Sequence, residues 1–512
     1  MKCIPSYRTE DTVDFINKSA LPLVDSRAAV LLFGYFVLYM LVYLPVCVRQ
    51  GLHWDEVFDV AGAANGTYVA AGRWGLALYR YLFGMGYMPW VSGVVAGLYI
   101  ATALVIQTRL FSIKTRFELF MYGSMYMGCV QWVNQLQYSH QSDAVALSLL
   151  CVTVAMFLFS ARGIKKCSFA VILLVYGCAV YQTAMLYFFV LLFTWILAEK
   201  NDGKELFQCG FRIMLWAFLS GCVYLFSRKI AIMLPVLTET DLNYMLGVQY
   251  GMSKWTEIIA APSPAEKCSL LGMYAVCFAK VILKNALGMM YEGQWVYATT
   301  MIPLSCLLWR WLVRERSWLK SMFLVCIWLL PFALSLVVMT DQGPRVSLAE
   351  PLACASIWML MLKNMCASGK IKIIFLLFAL LVVLKGAYRV AAIAEDEKNL
   401  YASRIRNVSR LNARLLAIAD ASGNMASKFV YFGKVPGGAP DVYRKRWGQR
   451  YDKTILLRLP DGRFPGEMTV PLRTANRGEV QKFGVLVEKM PQWPAPGCVV
   501  SIDDTVLVKF AE

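Results

Sequence analysis

The densest grouping of acid, base and guanidinium residues in the chain is His53-Trp54-Asp55-Glu56-Val57-Phe58-Asp59, followed by Gly72-Arg73-Trp74-Gly75. It comes directly after the first long apolar run, 28–48. Asp55 and Asp59 are four residues apart and share a face if the segment is helical. A carboxylate such as Asp55 or Glu56 can take the proton of a hydroxyl group as that hydroxyl attacks. Guanidinium groups such as Arg73 and Arg345 can hold a phosphate in a planar fork and neutralise the charge of a departing one. Such groups at the edge of an apolar run fit chemistry on a substrate that lies partly in a membrane. The plain alternative is a solvated loop with tryptophan anchors at the interface.

Other polar residues flank or interrupt apolar runs. His140 and Asp143 open a helix, where Asp143 also suits the N-cap position. Tyr181-Gln182 separates two apolar runs, and Gln182 can serve a sugar hydroxyl or bond the backbone of another helix. Asp341-Gln342-Gly343-Pro344-Arg345 is a short turn between two runs, which puts Arg345 at a membrane edge, to bind phosphate or to pair with Asp341. The candidate set is therefore Asp55 and Glu56 for catalysis, with Asp59, Arg73, His140, Asp143, Gln182, Asp341 and Arg345 for substrate. No zinc-ligand spacing occurs and no cofactor is expected, although oxygen ligands alone would serve Mg or Mn. No glycine-rich phosphate loop follows a predicted strand, which argues against direct use of a nucleotide.

These residues need elements to position them, and composition says which kind. Of 512 residues, 58% are hydrophobic and only 16% charged, well below the roughly 25% charged of an average soluble protein. The net charge of +18 is spread as punctuation between apolar runs, which fits membrane topology and anionic headgroups, not nucleic acid. The fifteen cysteines lie mostly inside apolar runs without CxxC spacing, and so read as small apolar residues. Residues 1–27 are polar and lack the features of a cleavable signal, so 28–48 is expected to stay as a first membrane helix. Runs of spanning length follow at 89–107, 117–135, 143–161, 168–181, 183–198, 211–234, 295–313, 321–340, 346–362 and 371–388, about eleven in all.

Four basic loops set the orientation: Arg109, Lys114 and Arg116; Arg162, Lys165 and Lys166; Arg310, Arg314, Arg316 and Lys320; Lys363, Lys370 and Lys372. If spans alternate, all four fall on the side of the N-terminus, which is then cytoplasmic. Loops 49–88 and 235–294 and the segments 138–143 and 341–345 fall on the other side. Within 235–294, the stretch 270–290 carries Lys280 and Lys284 and reads as an amphipathic helix lying in the interface. A site on the outer face has no nucleotide sugars available, so an activated donor there is lipid-borne. From about 390 to 512 the chain turns charged: an amphipathic helix over 394–421, a loop at 433–438, then alternating pieces at 454–459, 483–488 and 506–510. That is a small α/β domain on the outer side, with a basic cluster at Arg444, Lys445, Arg446 and Arg450. The expected fold is a mainly α, polytopic bundle over 28–389 with this C-terminal domain.

With these residues in view, the chain resembles the phage- or prophage-borne O-antigen glucosyltransferases of the Gtr type-II group, within the GT-C-like, polyprenyl-phosphate-sugar-dependent membrane glycosyltransferases. The matching pieces are Asp55-Glu56 after the first helix, Gly72-Arg73-Trp74, Tyr181-Gln182, and Trp493-Pro494-x-x-Gly497-Cys498-Val499 near the end. The resemblance implies transfer of glucose from undecaprenyl-phosphate-glucose to lipopolysaccharide O-antigen in the periplasm, at the bacterial inner membrane. It also implies a flippase and a polyprenyl-phosphate glucosyltransferase as genetic partners. Asp-Glu stands where a more uniform acidic pair is expected, which leaves the base open between Asp55 and Glu56. An inverting displacement needs one base and a stabilised leaving phosphate, and this set supplies both. The rival readings are a transferase acting on lipid A or protein, a transporter or flippase of lipid-linked sugars, and an O-antigen polymerase or ligase, which would need no monosaccharide donor. Transporters place ionisable groups near the midplane on interrupted helices of repeated halves; the clustering of carboxylates in one outer loop favours the enzyme.

Overall fold

The computed structural model describes residues 26–48, 68–83, 89–161, 163–199, 203–233, 253–291, 294–338, 344–364, 369–421, 428–432, 472–475, 477–492, 495–502 and 505–509. Its apolar runs become helices because a run without Gly-Pro punctuation satisfies its own backbone only by coiling. In chain order these are α1 Ser26–Cys47, α2 Trp74–Phe83, α3 Pro89–Leu110, α4 Arg116–Gly128, α5 Val133–Leu136, α6 Ser139–Ser160, α7 Ile164–Val180, α8 Ala184–Ala198 and α9 Gly203–Met233. There follow α10 Ser253–Ala260, α11 Pro264–Ala286, α12 Trp295–Ala298, α13 Met301–Trp309, α14 Trp318–Leu329, α15 Ala333–Val338, α16 Glu350–Asn364 and α17 Gly369–Ala421.

Among the described residues, seven stretches are long and apolar enough to cross a membrane: Ser26–Cys47, Trp90–Leu110, Gln141–Ser160, Gln208–Met233, Trp295–Arg314, Trp318–Ser335 and Lys370–Asn399. That is fewer than the eleven expected. The other four expected runs form α4, α7, α8 and α16, of 13, 17, 15 and 15 residues, at or below the lower end of the roughly 17–25 residues of a single crossing. The run 117–135 breaks at Cys129, whose backbone is extended, and continues as a 3-10 turn over Val130–Trp132 and then α5. Runs 371–388 and 394–421, read as two pieces, are one helix of 53 residues. At 1.5 Å per residue it is about 80 Å long, more than twice the ~30 Å of a bilayer core. The stretch 270–290 is helical within α11, capped by Ser263, whose hydroxyl accepts from the Glu266 amide. It is not among the seven, and it leaves Leu271, Met273, Val276 and Leu283 exposed.

Helix packing rests on small residues and on tyrosines. Gly93 and Gly97 on α3 lie against Cys47 and Tyr39 of α1, where an added Cβ would come within 2.5 Å of either. The hydroxyls of Tyr35, Tyr39 and Tyr43 reach across to the carbonyls of Leu119, Gly93 and Met127. A buried network joins Gln107 to Tyr122, Tyr187 and Thr153, with Tyr126 against Tyr187. Outward faces carry Phe33, Leu41, Phe218, Phe226 and Leu377, all exposed, which suits lipid and not water.

The bundle has two chemically different ends. At one, Lys363 bonds the Phe111 carbonyl and Arg310 bonds the Asn364 carbonyl, drawing together the loops that follow α3, α13 and α16. Arg310 and Lys320 also grip Glu315, holding that carboxyl below the usual range.

After α17 come β1 Lys428–Phe432, β2 Leu472–Thr474, α18 Arg477–Lys489, β3 Val499–Ile502 and β4 Thr505–Lys509. The sheet order is β2-β1-β4-β3, with β1 parallel to β2 and β4, and β3 antiparallel to β4. An α/β unit was expected, and the piece read at 506–510 is a strand over Thr505–Lys509. The piece 483–488 is not a strand: it lies in α18, where Phe483, Val487 and Met490 face the sheet and Val485 is exposed. Pieces 433–438 and 454–459 and the Arg444–Arg450 cluster lie outside the described residues. Arg414 of α17 donates to the Ala495 carbonyl at 3.2 Å, tying the long helix to the turn before β3.

Candidate functional site

At the end of the bundle opposite the basic loops, polar residues gather where α2, α6, α8 and α16 begin and α7 and α9 finish. Gly72 turns the chain into α2 with φ of +78°, a conformation glycine adopts without cost. Tyr224 of α9 donates to the Gly72 carbonyl at 3.0 Å, and Gln182 donates to the Ala71 carbonyl at 2.7 Å. Of the two roles open to Gln182, the structure thus occupies its amide nitrogen with backbone. Arg73 leaves this turn with its guanidinium 4.6 Å from the centre of the Tyr181 ring, and its buried Nε has no hydrogen-bond partner.

Arg228 of α9 reaches the same turn. A Cβ added at Gly72 would lie 2.9 Å from its Nε, which is likewise buried without a partner. Sequence reasoning missed Arg228: it sits beside Lys229 at the end of an apolar helix and reads there as an ordinary flanking charge. Arg73, Gln182 and Arg228 are therefore brought together by one glycine turn and two tyrosines. The arrangement leaves the Nε of both Arg73 and Arg228 buried without a hydrogen-bond partner.

Two turns further along α2, Arg80 is buried and grips both oxygens of Asp143, with the Tyr79 hydroxyl donating to Oδ2 at 3.1 Å. Asp143 was expected near a helix start and suited to the cap. The helix begins earlier, at Ser139, with Tyr138 in the cap position, so Asp143 is inside it. Its carboxylate is committed to Arg80, Tyr79 and the Ala144 amide. His140 lies in the first turn of α6.

Arg345 stands on a different support. Its guanidinium lies 4.4 Å from the centre of the Tyr138 ring, and its carbonyl accepts from the side-chain amides of Gln131 and Gln135. The break at Cys129 makes this possible: it turns Gln131, Asn134 and Gln135 inward, all buried. The carboxamide oxygens of Gln135 and Gln141 and the hydroxyl of Ser142 are buried without partners. Buried amides at a bundle end make a lining suited to a polyhydroxy ligand. No contact joins Arg73 to Arg345 among the described residues. Asp55, Glu56, Asp59 and Asp341 lie outside the described residues.

A second residue the sequence reading passed over is Glu350, fully buried at the start of α16. Tyr291 donates to its Oε1 at 2.7 Å, and the Cys129 thiol approaches the same oxygen at 3.9 Å. Among the described residues no group of three His, Cys, Asp or Glu side chains converges.

A family model described as Glucosyl transferase GtrII matches residues 52–363. The match takes in the acidic segment 53–59, the Gly72 turn, the Gln131–Asp143 segment and Arg345, and it ends before the C-terminal unit and the 493–499 motif. No curated protein and no solved structure matches the chain.

Proposed function

Because the chain belongs to the GtrII glucosyl transferase family, we propose that it moves glucose from undecaprenyl-phosphate-glucose to a sugar of lipopolysaccharide O-antigen, at the periplasmic face of the inner membrane and with inversion. The observation that carries this reading is the set of guanidinium groups on aromatic rings at one bundle end, Arg73 on Tyr181 and Arg345 on Tyr138, beside buried amides. A guanidinium stacked on an aromatic face presents a planar fork that suits a phosphate, and amides suit sugar hydroxyls.

In this reading Asp55 or Glu56 takes the proton from the acceptor hydroxyl. The acceptor oxygen bonds to the anomeric carbon, the bond from that carbon to the phosphate oxygen breaks, and its electron pair leaves on the phosphate. Arg73 with Arg228, and Arg345, neutralise that charge; the products are glucosylated acceptor and undecaprenyl phosphate. No cofactor takes part, and a small flippase and a donor-making synthase supply the substrate.

The test uses purified protein, donor lipid and O-antigen acceptor, read as glucose incorporated. Wild type transfers glucose. Arg345→Lys keeps the charge but loses the bidentate fork, so transfer falls by roughly ten- to a hundredfold while the protein still inserts. Unchanged donor affinity in Arg345→Ala would remove Arg345 from phosphate binding.

A further inference from the structure

Glu350 is the buried carboxylate that the proposed reaction does not use. It is 0% exposed, and no ion pair reaches it among the described residues. Its two oxygens differ. Oε1 accepts from Tyr291, whereas Oε2 is buried without a hydrogen-bond partner. A buried acceptor left unmade is costly, and native structures retain one where something else completes it.

Glu350 lines a small cavity of about 10 Å³, room for one oxygen-sized group. The other polar walls are Asn285, Gln294, Ser335 and Ser347, with Tyr291 and Phe332 as aromatic sides. Those amides are already fixed by the protein. Gln294 donates to Asn285 and accepts from the Met290 amide at 3.0 Å, and Asn285 donates to the Val281 carbonyl at 2.7 Å. The walls are therefore held in place, with Gln294 also beside the Glu350 carboxylate, and the buried wall atom without a hydrogen bond of its own is Oε2. The cavity calls for a hydrogen-bond donor the size of a hydroxyl.

Its location says whose hydroxyl. Glu350 follows Arg345 by five residues on one connection, and both border the 129–135 segment: Cys129 touches Glu350, while Gln131 and Gln135 hold the Arg345 carbonyl. We propose that the Glu350 cavity is a hydroxyl-binding subsite for the glucosyl group of the donor, with Glu350 Oε2 accepting from one sugar hydroxyl. This rests on the donor reading above, in which Arg345 holds the phosphate attached to that sugar. Glu350 binds and orients the ring, and the Asp55-Glu56 pair keeps the proton transfer.

A site built to bond a hydroxyl rejects the analogue that lacks it, so the sugar itself is the probe. Donor lipids carrying 2-, 3-, 4- or 6-deoxyglucose are compared with the glucose donor in wild type, Glu350→Gln and Glu350→Met. In wild type one deoxy position, and not the others, should lose about a hundredfold or more in kcat/KM. In Glu350→Met that dependence should shrink to within about twofold, because the variant has no acceptor to lose. In Glu350→Gln, which keeps the shape and carries the result if the Met variant does not fold, it should shrink at least tenfold. A merely structural glutamate would lower all donors alike and leave the ratio as in wild type, which overturns the proposal. If wild type transfers no glucose from any lipid phosphate, the donor reading falls first and takes this one with it. Transfer that proceeds without dependence on any single hydroxyl overturns the subsite alone.

Discussion

Asp55 and Glu56 are adjacent, so in a helix or a strand they point to different sides, and one of them at most faces a given hydroxyl. Asp55→Asn and Glu56→Gln keep size and remove proton affinity. The variant that loses the base should fall about a hundred- to ten-thousandfold in transfer while retaining bound donor, and its neighbour should fall far less. Near-normal transfer by both would move the base to Asp59 or Asp341. Asp143 is a poorer substitute, since Arg80 and Tyr79 already hold its oxygens. That pair makes its own prediction. Arg80→Ala or Asp143→Ala leaves a lone charge buried and should cost about 3–5 kcal/mol in unfolding in detergent, whereas Arg80→Met with Asp143→Leu should cost much less. A double-variant loss equal to the sum of the two single losses would mean the pair is not coupled. Residue types were legible in the sequence and partners were not. Arg80 and Asp143 are 63 positions apart, and Glu350 beside Pro351 reads as an ordinary acidic helix start until Tyr291 and Cys129 close over it.

At the scale of elements, hydropathy runs marked the helices well, because bilayer thickness and backbone satisfaction leave apolar chain one option. They marked the breaks poorly. The extended Cys129 interrupts an uninterrupted apolar run, yet it is what aims Gln131 and Gln135 at Arg345. In the C-terminal unit the alternation of Phe483, Val485 and Val487 fits a strand, but Phe483 and Val487 also share a helix face, and burial against the sheet decided for the helix. Packing of α1 on α3 is a firmer case, since it depends on two glycines four apart. Gly97→Leu would drive its side chain into Tyr39, so the variant should lose folded yield and melt well below wild type, by at least about 1–3 kcal/mol. Gly34→Leu is the control, because a Cβ there meets nothing within 4 Å. Equal melting of the two would refute the close approach.

At the scale of the whole molecule, the basic loops gather at one end of the bundle and the candidate site at the other. Four basic loops were grouped from sequence by alternation alone, an argument that a miscounted span would invert. The fold supplies a second warrant that needs no count: the Lys363 bond to Phe111 and the Arg310 bond to Asn364 bring three of those loops together directly. The polar site gathers at the opposite helix ends, so the site and the basic loops lie at opposite ends of the bundle whatever the number of crossings. Since lysine and arginine excess marks the cytoplasmic side, we expect a reporter fused after Lys320 to read cytoplasm and one fused after Glu512 to read periplasm. The second result depends on α17, whose ~80 Å length carries the chain out past the bilayer on the side where its apolar half ends. Cysteine labels placed at Ser263 and at Leu287, flanking α11, should react from the same side, because a helix lying in the interface does not transport its ends across. Labelling from opposite sides would make α11 a crossing. It would also reverse every later element, placing the Arg310–Lys320 loop outside in defiance of its charge.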